Sequence, residues 1–460
     1  MKATGSNAGW RVLPLVLHGT ALTICMNMTA ATELSTNARP VLAVEDSAEA
    51  REQIWNWHVQ NTVVVQGHPS FSAKYSGPNS LHSNAEVQET VSLDVMAGVR
   101  LWRGAQAHVD GLVWQGYGLS KTVGVEGFPN GDTYHFGTKA PNVTFARVLI
   151  RQTFGLGSDV EQVEDEPLRL AGEQDSSRLT LTLGKMGVTD IFDNNAYAND
   201  PRSQFLNWAL TANEAWDYPG DSLGYTTGLA IELEQPQWAL RYGFFQMPRT
   251  PASTALDAHY LDAWGMVMEL EHRHALRGHP GAVRLLGFVN RANMGSYQAA
   301  LDSPIRPPDI EDTRAYRHKY GFGLNLEQEL TKNIGIFSRL GWSDGKNEAW
   351  SFSDVDRTAS LGVSIKGGRW HRPNDTFGLA GVLNGISRVH QHFFAAGGEG
   401  LLAGDGALSY GWEKILETYY DFQIWKTVHA ALDYQFISHP AFNRDRGPVS
   451  VLGARLHWEF

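Results

Sequence analysis

Most of the chain beyond residue 53 alternates between apolar and polar positions with a period of two. Between residues 87 and 101, apolar side chains dominate one set of alternate positions, and polar or small ones fill the other. Because successive side chains of a β-strand point to opposite faces, this segment is predicted to be a strand with one apolar and one hydrated face. The same alternation recurs around Leu181, Ile231 and Leu324. The pattern therefore predicts an all-β protein.

Sixteen segments of this kind are predicted. They lie at 54–66, 86–102, 105–117, 143–156, 178–187, 223–234, 237–247, 261–273, 280–291, 318–330, 333–343, 358–367, 374–384, 412–426, 428–438 and 449–460. Short links such as Arg103-Gly104 join some neighbours, whereas long polar stretches such as 118–142 and 188–222 join others. Short turns at one end and long loops at the other are typical of outer-membrane barrels. One link, 157–177, is long where this scheme would place a short turn.

Charged side chains on the polar faces favour a membrane barrel over a soluble β-protein. A soluble sandwich or barrel hides its apolar face inside, but here Arg151, Glu232 and Arg241 lie opposite apolar faces. A lumen framed by about 16 strands is too wide to be filled by side chains and can hold charges. A soluble β-solenoid would need a repeat of about 20–50 residues, which the sequence lacks. We expect a transmembrane antiparallel β-barrel with short periplasmic turns and long extracellular loops.

The N-terminal region has the features of a cleaved signal peptide. Lys2 and Arg11 are basic, and the apolar run between residues 13 and 24 is too short to cross a membrane as a helix. Small residues at 29–31 suit cleavage, although a membrane anchor is the alternative. We predict a signal peptide at 1–31, a lead-in segment at 32–52 and the barrel at 53–460. The single cysteine, Cys25, lies within the predicted signal peptide.

The C-terminal segment carries a candidate assembly signal. Leu456, Trp458 and Phe460 share the apolar face of the last alternating segment. A terminal phenylalanine on such a strand is the feature that barrel-assembly machinery recognises, although an ordinary edge strand is the alternative. Tryptophans such as Trp102 and Trp114 lie near segment ends, as expected for side chains at the membrane–water interface. The expected location is the outer membrane of a Gram-negative bacterium, in contact with its lipids.

Composition and motifs restrict the chemistry. The net charge of -11 argues against a nucleic-acid partner, because phosphate binding needs a basic surface. The sequence contains none of the motifs G-x-S-x-G, H-E-x-x-H and the P-loop, so we expect no enzyme activity and no cofactor. An outer-membrane lipase or protease, or an adhesin or exporter barrel, remains the alternative. His272 and His274 could face one way on a strand, but without a third ligand we expect no metal site.

One long block resembles a known family. It reads GKMGVTDIFDNNAYANDPR at 184–202, continues as QFLNWAL at 204–210 and AWDYP at 215–219, and is similar to the long-loop motif of the carbohydrate-selective porin (OprB-type) family. Other blocks that match the family lie at 151–157, at 395–398 with 404–406, and at 434–436 with 443–449. The resemblance covers roughly 50–460, and is weaker at 385–394. It implies a barrel of 16 strands that lets small sugars, usually glucose, diffuse passively into the periplasm.

Two arginines are candidates for the channel lining. Arg147 and Arg151 lie four residues apart on one predicted strand and therefore share a face. Their neighbours Ala146, Val148 and Ile150 are apolar and are expected to face lipid, which would point both guanidinium groups into the lumen. Guanidinium groups can bind sugar hydroxyls or pair with acids of the barrel wall, and both interpretations stay open.

The predicted loop at 188–222 supplies the remaining candidates. Sugars are bound by polar side chains at their hydroxyls and by aromatic faces under their C–H surfaces. The residues of this type in the loop are Asp190, Asp193, Asn195, Arg202, Trp208, Trp216 and Asp217. The alternative is turn chemistry, because Asn and Asp side chains bond their own backbone in loops. The spacing does not match a calcium-binding loop.

Overall fold

The computed structural model describes residues 52–133 and 137–460. The predicted signal peptide and nearly all of the lead-in segment lie outside the described residues. The strands are β1 (Trp55–His68), β2 (Glu86–Trp102), β3 (Ala105–Gly116), β4 (Thr138–Gly155), β5 (Val160–Val163), β6 (Gly172–Asp175), β7 (Arg178–Gly187), β8 (Tyr225–Glu234), β9 (Trp238–Gln246), β10 (Trp264–Leu276), β11 (His279–Met294), β12 (Ala315–Thr331), β13 (Ile334–Ser343), β14 (Arg357–Gly367), β15 (Arg372–Gly385), β16 (Glu413–Trp425), β17 (Val428–Ser438) and β18 (Val449–Glu459).

The helices are short and lie in the connections between strands. They are α1 (Trp208–Thr211), α2 (Tyr297–Asp302) and α3 (Arg388–Ala395), with single 3-10 turns at Leu119–Lys121, Val188–Asp190, Glu311–Thr313, Gly368–Trp370 and Pro440–Phe442. Within the described residues, no helix combines the length and the hydropathy needed to cross a membrane.

Sixteen of the strands form one closed antiparallel barrel, as predicted. Each strand pairs with its neighbour along the chain, except that β4 pairs directly with β7, and β1 closes the barrel against β18. The seam is extended by the last residue, because the backbone N–H of Phe460 donates to the carbonyl of Val59 over 2.8 Å. The predicted segments match these strands to within a few residues. Closure leaves none of the sixteen strands with an unpaired edge.

The connections differ sharply between the two ends of the barrel. The loop end carries L1 (69–85), L2 (117–137), L3 (188–224), L4 (247–263), L5 (295–314), L6 (344–356), L7 (386–412) and L8 (439–448). The opposite end, the turn end, carries the start of β1, the end of β18 and short links such as 103–104 and 277–278. The exception is the link 156–177, in which β5 and β6 form a separate two-stranded hairpin.

The outer face is apolar and bordered by aromatic side chains. Exposed side chains such as Leu183, Leu285 and Leu432 cover its middle. Aromatic residues border the turn end at Trp55, Trp102, Trp238, Trp425 and Phe460, and the loop end at Phe244, Trp264, Tyr320, Trp342 and Trp412. Trp114 does not belong to these borders, contrary to expectation, because it is buried inside against Leu112 and Tyr225.

A bulge in β4 corrects one predicted orientation. Asp110 of β3 pairs with Arg147, but the next residue, Gly111, pairs with Phe145, which leaves Ala146 without a partner in the register. Phe145 and Val148 are exposed on the outer face, whereas Ala146 is fully buried inside. The expectation that Ala146 faces lipid is therefore wrong. An inserted residue shifts the alternation by one position and re-aims the side chains around it. Val148 and Ile150 face outward as expected.

Candidate functional site

The loop L3 does not stay at the loop end but enters the lumen and reaches the wall opposite β7. The carboxylate of Glu417 on β16 accepts the backbone N–H groups of Leu206 and Asn207, at 2.6 and 2.9 Å. Arg455 on β18 donates to the carbonyl oxygen of Pro201 over 2.8 Å. Because a carboxylate that accepts two N–H groups is a strong anchor, L3 is held across the barrel.

Two of the predicted site residues, Asp193 and Asn195, anchor L3 to the wall. The carboxylate of Asp193 receives Arg339 of β13 at 3.1 Å and Asn325 of β12 at 2.7 Å. It also accepts the backbone N–H of Asn213 over 2.7 Å, which joins two distant parts of L3 to each other. Asn195 donates to the side-chain oxygen of Asn325 over 2.7 Å. Both side chains are buried and neither lines the open space.

Trp216 and Asp217, also predicted as site residues, join L3 to L6. Trp216 lies in an apolar cluster with Phe192 and Phe288. The carboxylate of Asp217 accepts the backbone N–H groups of Trp350 and Ser351 in L6, at 2.8 and 2.7 Å. The same carboxylate lies 3.6 Å from the ammonium of Lys319. The structure therefore places both residues in the packing of the loops and away from the cavity lining.

An open cavity of about 610 Å³ lies between L3 and the wall formed by β1, β3, β4, β7 and β8. Five predicted site residues line it: Arg147, Arg151, Asp190, Arg202 and Trp208. L2, L6 and the hairpin in the link 156–177 contribute the remaining sides. The arrangement is an off-centre passage with polar walls, narrowed from the loop end by L3.

Arg147 joins the wall to L3 through a complete ion-pair bridge. Its guanidinium lies 2.6 Å from Asp110 on β3 and 2.7 Å from Asp190 in L3. A second bond to Asp190, from Nε at 2.8 Å, makes that contact bidentate, and the ring of Tyr225 lies 5.1 Å from the guanidinium carbon. Bidentate pairing fixes geometry as well as charge. One positive and two negative charges meet here, so the bridge carries no excess positive charge.

Arg202 makes a second bridge, between L3, L2 and the wall. It lies 2.6 Å from Asp94 on β2 and 2.8 Å from Asp132 in L2. Asp132 also accepts the hydroxyl of Ser92 over 2.7 Å. Burial raises the pKa of the Asp132 carboxyl, while the charge of Arg202 opposes this shift. The bridge therefore holds both loops against β2 at the edge of the cavity.

Arg151 differs from the other two arginines because no carboxylate pairs with it. Among the residues that the structure describes, no carboxylate oxygen lies within 4.0 Å of its guanidinium. It donates instead to the carbonyl oxygen of Leu168 in the link 156–177 over 2.7 Å, and to the hydroxyl of Thr182 over 3.4 Å. The neutral carbonyl does not cancel its charge, and the nearby carboxylates of Glu232 and Asp190 act on it only from beyond ion-pair distance. The cavity thus has a cation at its wall that ions and solutes can sense.

An aromatic group lies on the loop side of the cavity. The rings of Trp208 and Phe128 stack with centroids 5.1 Å apart and an interplanar angle of 12°. Phe352 of L6 lies 5.5 Å from Trp208 and 4.5 Å from Tyr218. All four rings line the cavity. Sequence reasoning found only Trp208; the stretch AWDYP contains Tyr218, but no signal marks Phe128 or Phe352, which come from other loops.

The acids on the far side of the cavity belong to a ladder of ion pairs. Arg241 on β9 contacts Glu234 at 2.8 Å, Glu269 at 2.9 Å and Glu271 at 3.0 Å, and Glu232 at 3.4 Å. Arg273 and Arg284 extend the ladder along β10 and β11. This ladder neutralises much of the wall charge internally and rigidifies it.

The histidines singled out in the sequence lie apart from the cavity. The rings of His272 and His274 stack with centroids 6.1 Å apart near the turn end, and neither lines the cavity. Within the described part of the chain, no group of three or more His, Cys, Asp or Glu side chains is arranged to hold a metal ion.

A closed barrel with an apolar exterior, two aromatic borders and an offset polar passage defines an outer-membrane channel of the porin class. Comparison with known proteins agrees. The profile of the family described as "Carbohydrate-selective porin, OprB family" matches residues 79–460. The chain therefore belongs to the OprB family of carbohydrate-selective porins, which places the protein in the bacterial outer membrane. The loop end is then extracellular and the turn end periplasmic.

Two relatives illustrate the likeness. The high-pH structure of Pseudomonas putida OprB superposes with a TM-score of 0.68 at 15% identity, covering 88% of this chain and 94% of that one. Among curated proteins, Porin AaxA of Chlamydia abortus is 22% identical over 285 residues. That match covers 61% of this chain and spans about half of the relative, 54% of its length. The structural match shows the same barrel fold.

Proposed function

We propose that this porin lets monosaccharides such as glucose diffuse passively from outside the cell into the periplasm. The observation that carries the proposal is the combination of aromatic faces and polar groups on one cavity. Trp208 and Phe352 offer flat apolar surfaces, and Arg151, Asp190 and Arg202 offer donors and acceptors around them. Sugars have the same division between C–H faces and hydroxyls.

The mechanism needs no energy source. A sugar moves down its concentration gradient, and weak contacts in the cavity raise its local concentration without trapping it, because a good pore must also release its solute. Arg147 and Arg202 hold L3 and L2 in place through ion pairs, which keeps the passage narrow. Export of the chain by a cleaved signal peptide at 1–31, and insertion by barrel-assembly machinery, are part of the same proposal.

Liposome swelling with a panel of sugars tests the function. We expect glucose to enter faster than disaccharides, and Trp208→Ala to reduce the preference among sugars of equal size. Trp208→Phe keeps an aromatic face and should retain most of that preference. Equal rates for all sugars of one size in the unaltered protein would contradict carbohydrate selectivity.

The alternatives from other classes are separable by electrical recording. An adhesin, or a barrel lipase or protease, need not conduct ions, whereas a porin in a planar bilayer gives a large steady conductance. Absence of conductance from correctly folded, heat-modifiable protein would refute the channel assignment for this chain.

A further inference from the structure

The link 156–177 between β4 and β7 stands out at the periplasmic end. Between β5 and β6 it forms a tip, residues 164–171, that turns back towards the lumen. Glu166 and Arg169 close this tip by exchanging two backbone hydrogen bonds, at 2.9 and 3.0 Å. Their side chains form an ion pair at 2.6 Å. The segment is therefore a structured turn with Pro167 and Leu168 at its point.

The tip is fastened to three adjacent strands of the wall. Asp165 accepts the side-chain amide of Asn56 on β1 over 2.7 Å. Arg100 on β2 donates to the carbonyl oxygen of residue 171 over 3.1 Å. Gln106 on β3 accepts the N–H of Leu170 over 3.2 Å, and the Leu170 side chain is buried. Contacts on three strands fix the tip as part of the barrel's structure.

The point of the tip reaches the candidate sugar passage. Glu166, Leu168 and Arg169 line the same cavity as Trp208. The Leu168 carbonyl receives the guanidinium of Arg151, the cation that no carboxylate pairs with. L3 bounds the cavity on the extracellular side, and the tip bounds it on the periplasmic side.

We infer that the tip 164–171 is a second, fixed constriction that a solute must pass on its way to the periplasm. Its Glu166–Arg169 pair presents both donors and acceptors to sugar hydroxyls, and the pair itself is neutral. The Leu168 carbonyl acts as a positioning group that holds Arg151 at the passage. The inference rests on the proposed channel function and identifies the tip as the exit filter of that channel, on its periplasmic side.

Cysteine labelling tests the location of the constriction. Cys25, the single cysteine of the sequence, lies in the predicted signal peptide, so an introduced thiol can be labelled selectively. We expect a bulky charged thiol reagent to at least halve the single-channel conductance of Leu168→Cys. Val160→Cys is the matched control, because Val160 belongs to the same hairpin but is exposed and does not line the cavity. Its conductance should not change.

The inference is overturned if labelling is complete at both positions and neither conductance changes. It is also overturned if Val160→Cys is labelled and Leu168→Cys is not, since a pore-lining thiol must be accessible. Heat-modifiability on detergent gels checks that each variant is folded before recording.

Charge removal gives an independent measurement that does not depend on labelling. Glu166→Gln should shift the reversal potential in a salt gradient towards anions, and Arg169→Gln should shift it towards cations. Glu173→Gln is the matched control, because this exposed carboxylate of the hairpin bonds Gln162 away from the cavity. Equal shifts from Glu166→Gln and Glu173→Gln would contradict an exit filter at the tip.

These outcomes are distinguishable from failure of the proposed function. If the unaltered protein conducts ions but admits no sugar into liposomes, the sugar proposal fails, while block at Leu168→Cys still supports a constriction at the tip. If sugars enter normally and labelling at 168 has no effect, the sugar proposal stands and the exit filter is refuted.

Discussion

Replacing Arg151 by glutamine is expected to make the channel prefer cations, with little loss of stability. Arg151 lines the passage and is held by the Leu168 carbonyl, so its positive charge is not cancelled by an ion pair. In Arg151→Gln that charge is gone, while a side chain able to bond Leu168 or Thr182 remains. The expected consequence is electrostatic, since the surrounding loops keep their anchors.

The size of the effect follows from Coulomb's law. At about 6 Å from a monovalent ion, one unit charge contributes about 0.7 kcal/mol in a medium as polar as water. The contribution has opposite signs for cations and anions, so its loss changes their difference by about 1.4 kcal/mol, or about tenfold in permeability ratio. Screening over a Debye length of about 10 Å at 0.1 M salt reduces this to about fourfold.

Arg147→Gln removes the same charge but should behave differently. Arg147 binds Asp110 and Asp190, and Asp110 is fully buried. Removing one partner of such a buried pair costs about 3–5 kcal/mol and releases L3 from β4. We therefore expect a lower temperature of unfolding and noisier current. The charge-balanced double variant Arg147→Gln/Asp190→Asn should have the same defects with little change in ion preference.

Reversal potentials in a potassium chloride gradient and heat-modifiability on detergent gels measure the two effects separately. Arg151→Lys keeps the charge and should keep the ion preference. The reasoning is refuted if Arg151→Gln leaves the reversal potential unchanged, or if Arg151→Lys shifts it as far as Arg151→Gln does.

Three further predictions concern the loops and the seam. Glu417→Ala removes the acceptor for two backbone N–H groups of L3, so we expect higher single-channel conductance; an unchanged conductance would mean that L3 does not need this anchor. Deleting Phe460 should lower the outer-membrane yield without reducing export, as immunoblots of separated membranes would detect, because its backbone extends the seam with β1. Burial, reinforced by the charge of Glu413, raises the pKa of Glu214 in L3 well above its usual range. Between the ordinary pKa of a glutamate and this raised value, the folded protein keeps the Glu214 proton that the unfolded chain has released. The free energy of unfolding is therefore highest at acidic pH, where both states hold the proton, and it falls as the pH rises. Glu214→Gln should therefore unfold at a higher temperature than the unaltered protein at neutral pH and at a similar one at acidic pH; an equal difference at both would contradict the buried proton.

The strands could be predicted from sequence because their pattern is local. Each barrel strand must show apolar side chains to lipid and polar ones to the lumen at every second residue. The segment 178–187, for example, was predicted with the bounds that β7 has in the structure. The bulge in β4 is an exception to this alternation and could not be predicted from it. Ala146 is as apolar as its outward-facing neighbours, and only the pairing of β4 with β3 turns it inward.

The candidate site could be predicted only in part. Asp190 and Asp193 lie in one loop and look alike in the sequence, yet Asp190 lines the cavity and Asp193 is buried against Arg339. The aromatic group could likewise be predicted only in part, because Phe128 and Phe352 contact Trp208 from separate loops. Contacts across such distances in sequence have no local pattern.

The sequence by itself determined the period of the strands, the long and short connections, the terminal aromatic strand and the family. Each of these follows from a local rule imposed by the membrane or from a contiguous motif. Only the tertiary structure decided where the passage runs, which loop residues line it, and that Arg151 keeps an unpaired charge while Arg147 does not. The physical reason is that a side chain's role in the lumen depends on which distant groups satisfy its charge and hydrogen bonds, and the folded barrel alone brings those groups together.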